Sequence, residues 1–284
     1  MKVLITGSSG FVGSVCARHL KDDFEVYGLD YVLGDQVESN RFYQQDLTQS
    51  FSIDEEFDYV IHLAALNVTH VGKASRDEYV PVNVEGTRKV IEGIRFKKFV
   101  FFSSAKVYRL GEGNIVEENG IEPQDDYAWS KYEAEEICRA LIPEDRLVIV
   151  RPMNIVGEAQ PKKALLPVLF HQAIHDEPIN IFAPHNTKMQ LLHVKDVAEG
   201  LKSILLNEVS GVYNIASDDV WGIREVVETI IDLARSQSEV RFSNLNEVLF
   251  SKVSNAKSKR DLGWEPELDI QKILREYYSK MVKR

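Results

Sequence analysis

Tyr127-Ala128-Trp129-Ser130-Lys131 sets a phenol and an amine at i and i+4. On a helix these two side chains share one face, about one turn apart. An ammonium beside a phenol favours tyrosinate, lowering a pKa that is about 10 when unperturbed. Such a tyrosine can serve as general base toward a substrate hydroxyl near neutral pH. The lysine can also reach ribose hydroxyls. Alone the pair says little, because solvated helix faces carry it by chance. Its position adds weight. Ser103-Ser104 ends an apolar run, and the Tyr127 helix follows that run. A hydroxyl at the C-terminal end of a parallel strand lies where doubly wound sheets hold their ligands. Base, hydroxyl partner and lysine together suit hydride transfer to a nicotinamide.

A second constellation opens the chain. Thr6-Gly7-Ser8-Ser9-Gly10-Phe11-Val12-Gly13 follows a short apolar run and precedes a helical pattern. Glycines allow the tight turn and let the backbone approach a pyrophosphate. Amides at the helix N-terminus then hold the phosphate charge. Asp30 ends the second apolar run, 23 residues after Gly7. A carboxylate there accepts hydrogen bonds from both adenosine-ribose hydroxyls and repels a 2′-phosphate. Tyr31 and Val32 offer that phosphate no cation. Loop and acid together predict NAD rather than NADP.

These groups need a scaffold. Strands are expected at 3–6, 25–30, 41–45, 59–63, 99–103 and 146–151, with helices at 11–20, 78–94 and 127–141. Continuous apolar strands separated by helices indicate an α/β fold with a parallel sheet covered on both faces. Right-handed crossovers make that a doubly wound, Rossmann-type domain. After Asn154 the rhythm changes, with prolines at 161, 167, 178 and 184 and shorter elements. Helices are expected at 165–173, 194–206, 224–234 and 270–281, and strands at 179–182 and 212–215. The expected organisation is an NAD-binding domain over 1–154, to which later segments can return. A smaller α/β substrate lobe spans 155–284.

Composition narrows the function classes. The 284 residues carry 44 acidic and 34 basic side chains, a net charge of −10, which disfavours a dedicated nucleic-acid binder. Cys16 and Cys138 cannot supply a disulfide framework or a four-ligand zinc site, and read as small buried hydrophobes. His171, His175 and His185 lack metal-site spacing with carboxylates, so no metal is expected. The four cations of 252–260 read as a solvated helix face. No apolar run reaches the 18 or so residues of a membrane span, and the N-terminal one is too short for a signal peptide. A soluble, cytoplasmic protein is the expectation.

With these motifs in place, the sequence resembles the extended short-chain dehydrogenase/reductases, in the nucleotide-sugar epimerase/dehydratase group. The matching stretches run nearly the whole chain. They are 6–13, Asp30, Asp46-Leu47, His62-Leu63-Ala64-Ala65, Asn83-Val84-Glu85-Gly86-Thr87, Ser103 to Tyr108, Tyr127 to Lys131, Arg151 to Gly157, His193 to Asp196, Tyr213-Asn214 and Leu262 to Pro266. The resemblance implies that Asp46 and Leu47 flank the adenine, and that Leu63, Ala64 and Ala65 line the cofactor groove with Ser103 and Pro152. It implies a catalytic set of Ser104, Tyr127 and Lys131, with the last two also touching NAD. Asn83 would hold a water-binding position at a kinked helix beside the cofactor. Asn154 would contact a nucleotide-sugar substrate. A homodimer through the helices at 78–94 and 127–141 is implied as well.

Departures from the pattern matter equally. The 4,6-dehydratases of the group carry an acidic pair after the catalytic residue, where this chain has Ala105 and Lys106. Expelling water needs an acid and a base there. Arg109 stands where a glycine is usual, and Glu158-Ala159 where proline is frequent. A diphosphate-gripping arginine is replaced by Met189, which removes a bidentate, charge-assisted contact. Lys188, Lys162 or Lys163 compensates, or the substrate is not a typical sugar nucleotide. The expected activity is an NAD-dependent epimerase acting at C4 through a keto intermediate. One alternative is a net dehydrogenase or ketoreductase. Another is a non-catalytic NAD-binding sensor on the same fold.

Overall fold

The computed structural model describes residues 1–34, 41–67, 74–109, 113–157, 159–243 and 250–282. Glu158, one of the departures noted above, lies outside them. Seven strands form the central sheet: β1 (Lys2–Thr6), β2 (Glu25–Asp30), β3 (Arg41–Gln44), β4 (Ile53–His62), β5 (Ile94–Phe102), β7 (Leu147–Pro152) and β12 (Gly211–Ile215). Their spatial order is β12-β7-β5-β4-β1-β2-β3, and every pairing is parallel. Chain order reverses between β1 and β4, which opens a crevice at their C-terminal ends.

Residue alternation along the strands explains the layers. Val3 and Ile5 face one side with Cys16 and Leu20 of α1 (Phe11–Leu20), while Leu4 faces the other with Val60 and Phe101. Each side is buried, so both parities must be apolar, and β1 reads Val-Leu-Ile without a break.

The expected helix at 78–94 is broken. A short α2 (Arg76–Tyr79) passes into a π-helical turn at Val80–Val84 and then α3 (Glu85–Gly93). Pro81 lacks an N–H for the regular ladder, and π-turns accommodate such interruptions. Ile94 belongs to β5. The strand starts earlier than its apolar run because Ile94–Phe96 pairs with Ile53–Phe57, the polar first half of β4. The third long helix, α4 (Asp126–Leu141), is capped by Asp125, which accepts from the Ala128 N–H at 2.7 Å.

Beyond the sheet lie β6 (Gly113–Ile115), β8 (Asn154–Val156), α5 (Leu165–Ile174), β9 (Ile179–Ile181), β10 (Lys188–Met189), β11 (Leu191–His193) and α6 (Val194–Asn207). After β12 come β13 (Trp221–Gly222), α7 (Ile223–Ala234), β14 (Val240–Phe242), β15 (Ser251–Val253), α8 (Ala256–Leu262) and α9 (Ile270–Val282). Helices α5, α7 and α9 build a separate apolar core around Phe170, Ile230 and Leu274. Helix α6 instead packs Leu201 and Leu205 on the central sheet, beside Trp264. Thus α6 and β12 sit on the first layer although they follow residue 154. The cations of 252–260 are not one helix face. Lys252 lies in β15, Lys259 pairs with Asp218 at 2.8 Å, and Lys257 donates to the Val212 carbonyl at 2.7 Å.

Candidate active site

One cleft of about 1580 Å³ runs along the C-terminal ends of the central strands and between the two cores. At its floor is the glycine turn. Gly7 adopts φ +70° and donates its N–H to Leu29 O at 2.8 Å. A Cβ there would lie 2.7 Å from the Ala64 nitrogen, and one on Gly13 would lie 2.1 Å from the Gly7 carbonyl oxygen. Neither clash can be relieved by a side-chain rotation, so both positions require glycine. No side chain caps α1. Its first amides therefore stay available, beside Ser9, Gly10, Phe11 and Val12 on the cleft wall.

Asp30 ends β2 at the same wall. Its carboxylate accepts from the backbone N–H of Ser9 at 3.0 Å and of Tyr31 at 2.7 Å, which orients it over the turn. Asp46, Leu47, Leu63, Ala64 and Ala65 continue the lining. The Asp46 carboxylate accepts from Thr48 N–H at 2.8 Å, and that bond holds it below the usual carboxylate range.

The other end brings together Ser104, Tyr127, Lys131, Pro152, Asn154 and Met189. Ser104 follows β5, and its hydroxyl accepts the Lys106 N–H at 3.2 Å. Tyr127 is half-buried, with its ring edge-on to Tyr79 at 5.9 Å. The Tyr127–Lys131 spacing predicts a lowered phenol pKa, whereas the direction in this fold is upward. Burial, with the Asp125 carboxylate and Tyr79 adding to it, pushes the phenol up. Lys131 is 2% exposed and lies over the Phe101 ring at 4.4 Å. Burial draws its ammonium down to about 8.

Two of the expected cofactor residues have protein partners for their side chains. Asn83 does not line the cleft. It sits beneath it, where Oδ1 accepts Leu66 N–H at 2.7 Å and Nδ2 donates to Leu66 O at 3.1 Å and Ser130 Oγ at 2.9 Å. The π-turn points this amide inward, under the groove. Ser103 lies along the wall, but its hydroxyl donates to Glu135 at 2.5 Å.

The profile of the NAD dependent epimerase/dehydratase family matches residues 3–216. The chain belongs to this family. Across 321 residues it is 26% identical to the UDP-glucose 4-epimerase of Bacillus subtilis (strain 168), covering 96% of this chain and 94% of that one. It is 30% identical over 245 residues to the N-acetyl-alpha-D-glucosaminyl-diphospho-ditrans,octacis-undecaprenol 4-epimerase of Escherichia coli O157:H7, covering 80% and 71%. The fold matches MoeE5 in complex with UDP-glucuronic acid and NAD at a TM-score of 0.87 and 22% identity, over 99% of this chain and 100% of that one. The glycine cradle, the uncapped α1 and Asp30 fit the family's dinucleotide. Bound there, NAD supplies a hydride acceptor and donor.

The segments after residue 154 supply the rest of the cleft wall. Met189 is half-buried in β10, opposite Trp221 of β13. Of the cations considered for its missing charge, Lys188 lines the cleft, whereas Lys162 and Lys163 are exposed outside it. Sequence reasoning missed the buried pair of Glu135 and Arg151, in which Arg151 Nη2 lies 2.6 Å from Glu135 Oε2. Each residue sat within a recognised stretch or helix, and nothing in either stretch announced the partner 16 residues away. Among the described residues no cluster of His, Cys, Asp and Glu could hold a metal. No described helix is long and apolar enough to cross a membrane.

Proposed function

We propose that this chain is an NAD-dependent nucleotide-sugar epimerase acting at C4. The observation that carries the reading is one cleft lined at one end by the glycine turn and Asp30, and at the other by Ser104, Tyr127 and Lys131. Gly7, Gly10, Gly13 and Asp30 would hold the dinucleotide, as would Asp46, Leu47, Leu63, Ala64, Ala65 and Pro152. Tyr127 Oη takes the C4 hydroxyl proton and later returns it. Ser104 Oγ hydrogen-bonds the same sugar oxygen and orients it. Lys131 holds ribose hydroxyls and adds the positive charge that favours tyrosinate once ligands close the site. Asn154 and Lys188 bind the nucleotide diphosphate side of the substrate. The 4-keto sugar turns over within the cleft before the proton is returned. Ala105 and Lys106 supply no acid and base pair for expelling water, which favours epimerase over dehydratase.

The homodimer and its two-helix contact belong to the same proposal. They rest on α3 and α4 lying side by side along one face of the sheet.

The test is interconversion of UDP-glucose and UDP-galactose, followed in wild type and Tyr127→Phe. The variant is expected to retain NAD and lose about 10²–10⁴-fold in kcat, the range of general acid–base catalysis. Full activity without the phenol would overturn the assignment. Met189 favours a second reading, a net oxidoreductase on another alcohol. Mass spectrometry of the denatured, freshly purified protein separates the two. Retained NAD near one equivalent fits a recycled cofactor, and free exchange fits net redox.

A further inference from the structure

Glu135 lies one turn beyond Lys131 on α4, so Tyr127, Lys131 and Glu135 share a face. It is fully buried at 0% exposure. Its Oε1 accepts from Ser103 Oγ at 2.5 Å and from Arg151 Nε at 2.9 Å, and its Oε2 accepts from Arg151 Nη2 at 2.6 Å. Arg139, one further turn along the same helix, reaches Oε2 at 3.3 Å. Ser103 immediately follows β5 and precedes Ser104, and Arg151 lies in β7. One carboxylate therefore ties the helix bearing the base and the lysine to the strand end bearing the serine. Tyr108 completes the arrangement, with its ring 4.6 Å from the Arg151 guanidinium and its hydroxyl donating to Asn214 Oδ1 at 2.8 Å.

A buried ion pair is poor value as a stabiliser, because apolar residues of similar volume often serve as well or better. Its geometry here aligns the two elements that carry reacting groups, α4 and the end of β5, and braces both on β7. We propose that Glu135 is a positioning residue that sets the Tyr127–Lys131 face of α4 against Ser104 and supplies the counter-charge to the buried Lys131 ammonium. The proposal rests on the reading of Ser104, Tyr127 and Lys131 as the reacting groups. The groups that face Lys131 are Tyr127, Glu135 and Cys138 on its own helix, His62 on β4 and the Phe101 ring on β5. Of these, Glu135 is the anion. It works against the burial that lowers Lys131 to about 8.

Two variants test it. The double substitution Glu135→Leu with Arg151→Met removes both charges and leaves only the Ser103 hydroxyl without its acceptor. It is expected to fold with a Tm near wild type and to bind NAD normally, while kcat falls at least tenfold and KM changes little. A kcat within twofold of wild type would show the pair to be structural only and would overturn the proposal. The second, Glu135→Gln, is read by ¹⁵N NMR of the Lys131 ammonium. Its titration midpoint should drop below the wild-type value, and an unchanged midpoint also counts against the proposal. Glu135→Asp should restore part of the shift. The titration needs no substrate. A wild type inert toward sugar nucleotides would therefore sink the functional reading and leave this measurement standing.

Discussion

At His62 the neighbours fix the position of every proton. Thr87 Oγ1 donates to Asn83 O at 2.7 Å, so it must accept from His62 Nε2 at 2.9 Å. Nδ1 is then bare and accepts the Thr6 hydroxyl at 2.6 Å, while Thr6 Oγ1 accepts Ala64 N–H at 3.3 Å. Burial, with Lys131 adding to it, pulls the ring down to about 3, so it stays neutral. Unfolding releases it to about 6.5. Between those values the unfolded state binds the extra proton, so stability falls as pH drops through that window. Wild type should therefore lose more urea resistance between pH 7 and pH 5 than His62→Gln does. Equal losses would mean the ring is not buried neutral. Lys188 carries a second prediction at this scale. If it faces the diphosphate, Lys188→Ala should raise KM for the sugar nucleotide about tenfold, near 1.4 kcal/mol, with kcat nearly unchanged. An unchanged KM would reopen the question that Met189 raises. The sequence showed His62-Leu63-Ala64-Ala65 as a motif, but a motif does not reveal the tautomer or the partners.

Among the elements, the π-turn at Val80–Val84 departs most from the expected regular helix. Amphipathic spacing over 78–94 does not expose the interruption, because the α-helix before it, Arg76–Tyr79, is only about one turn long and sets no phase to compare with α3. Pro81 was the visible clue. The turn aims Asn83 at the Leu66 backbone, whose neighbours Leu63 to Ala65 line the cleft. Asn83→Ala would leave the Leu66 N–H and carbonyl unmet, at a cost of about 1–3 kcal/mol. We expect lower thermal stability together with weaker NAD binding, by about tenfold, measured by calorimetry. Lost stability with unchanged affinity would mean that Leu66 does not shape the groove. The strands were more legible. Apolar runs located β1, β2, β5 and β7, since both faces of the sheet are covered. The early half of β4 escaped notice because Ile53-Asp54-Glu55-Glu56 reads as polar.

Over the whole molecule, chain order and spatial order part company after Asn154. Strand β12 pairs with β7, and β15 pairs with β6, which lies more than a hundred residues earlier. Local patterns identify a strand but not a distant partner, so these pairings were not readable. Gln190 joins the returning segments. Fully buried, it donates to Ser217 O at 2.6 Å and Val253 O at 2.9 Å, and accepts from Val253 N–H at 3.0 Å. It stands next to Met189 on the β10 side of the cleft, whereas the glycine cradle adjoins the other core. Gln190→Leu leaves three buried backbone groups without partners, which should lower stability by about 1–3 kcal/mol or more. The damage is local to the wall formed by β10 and β15. KM for the sugar nucleotide should therefore rise severalfold while the NAD dissociation constant stays at the wild-type value. If NAD binding weakened to the same degree, the two ends of the cleft would be mechanically coupled through the sheet.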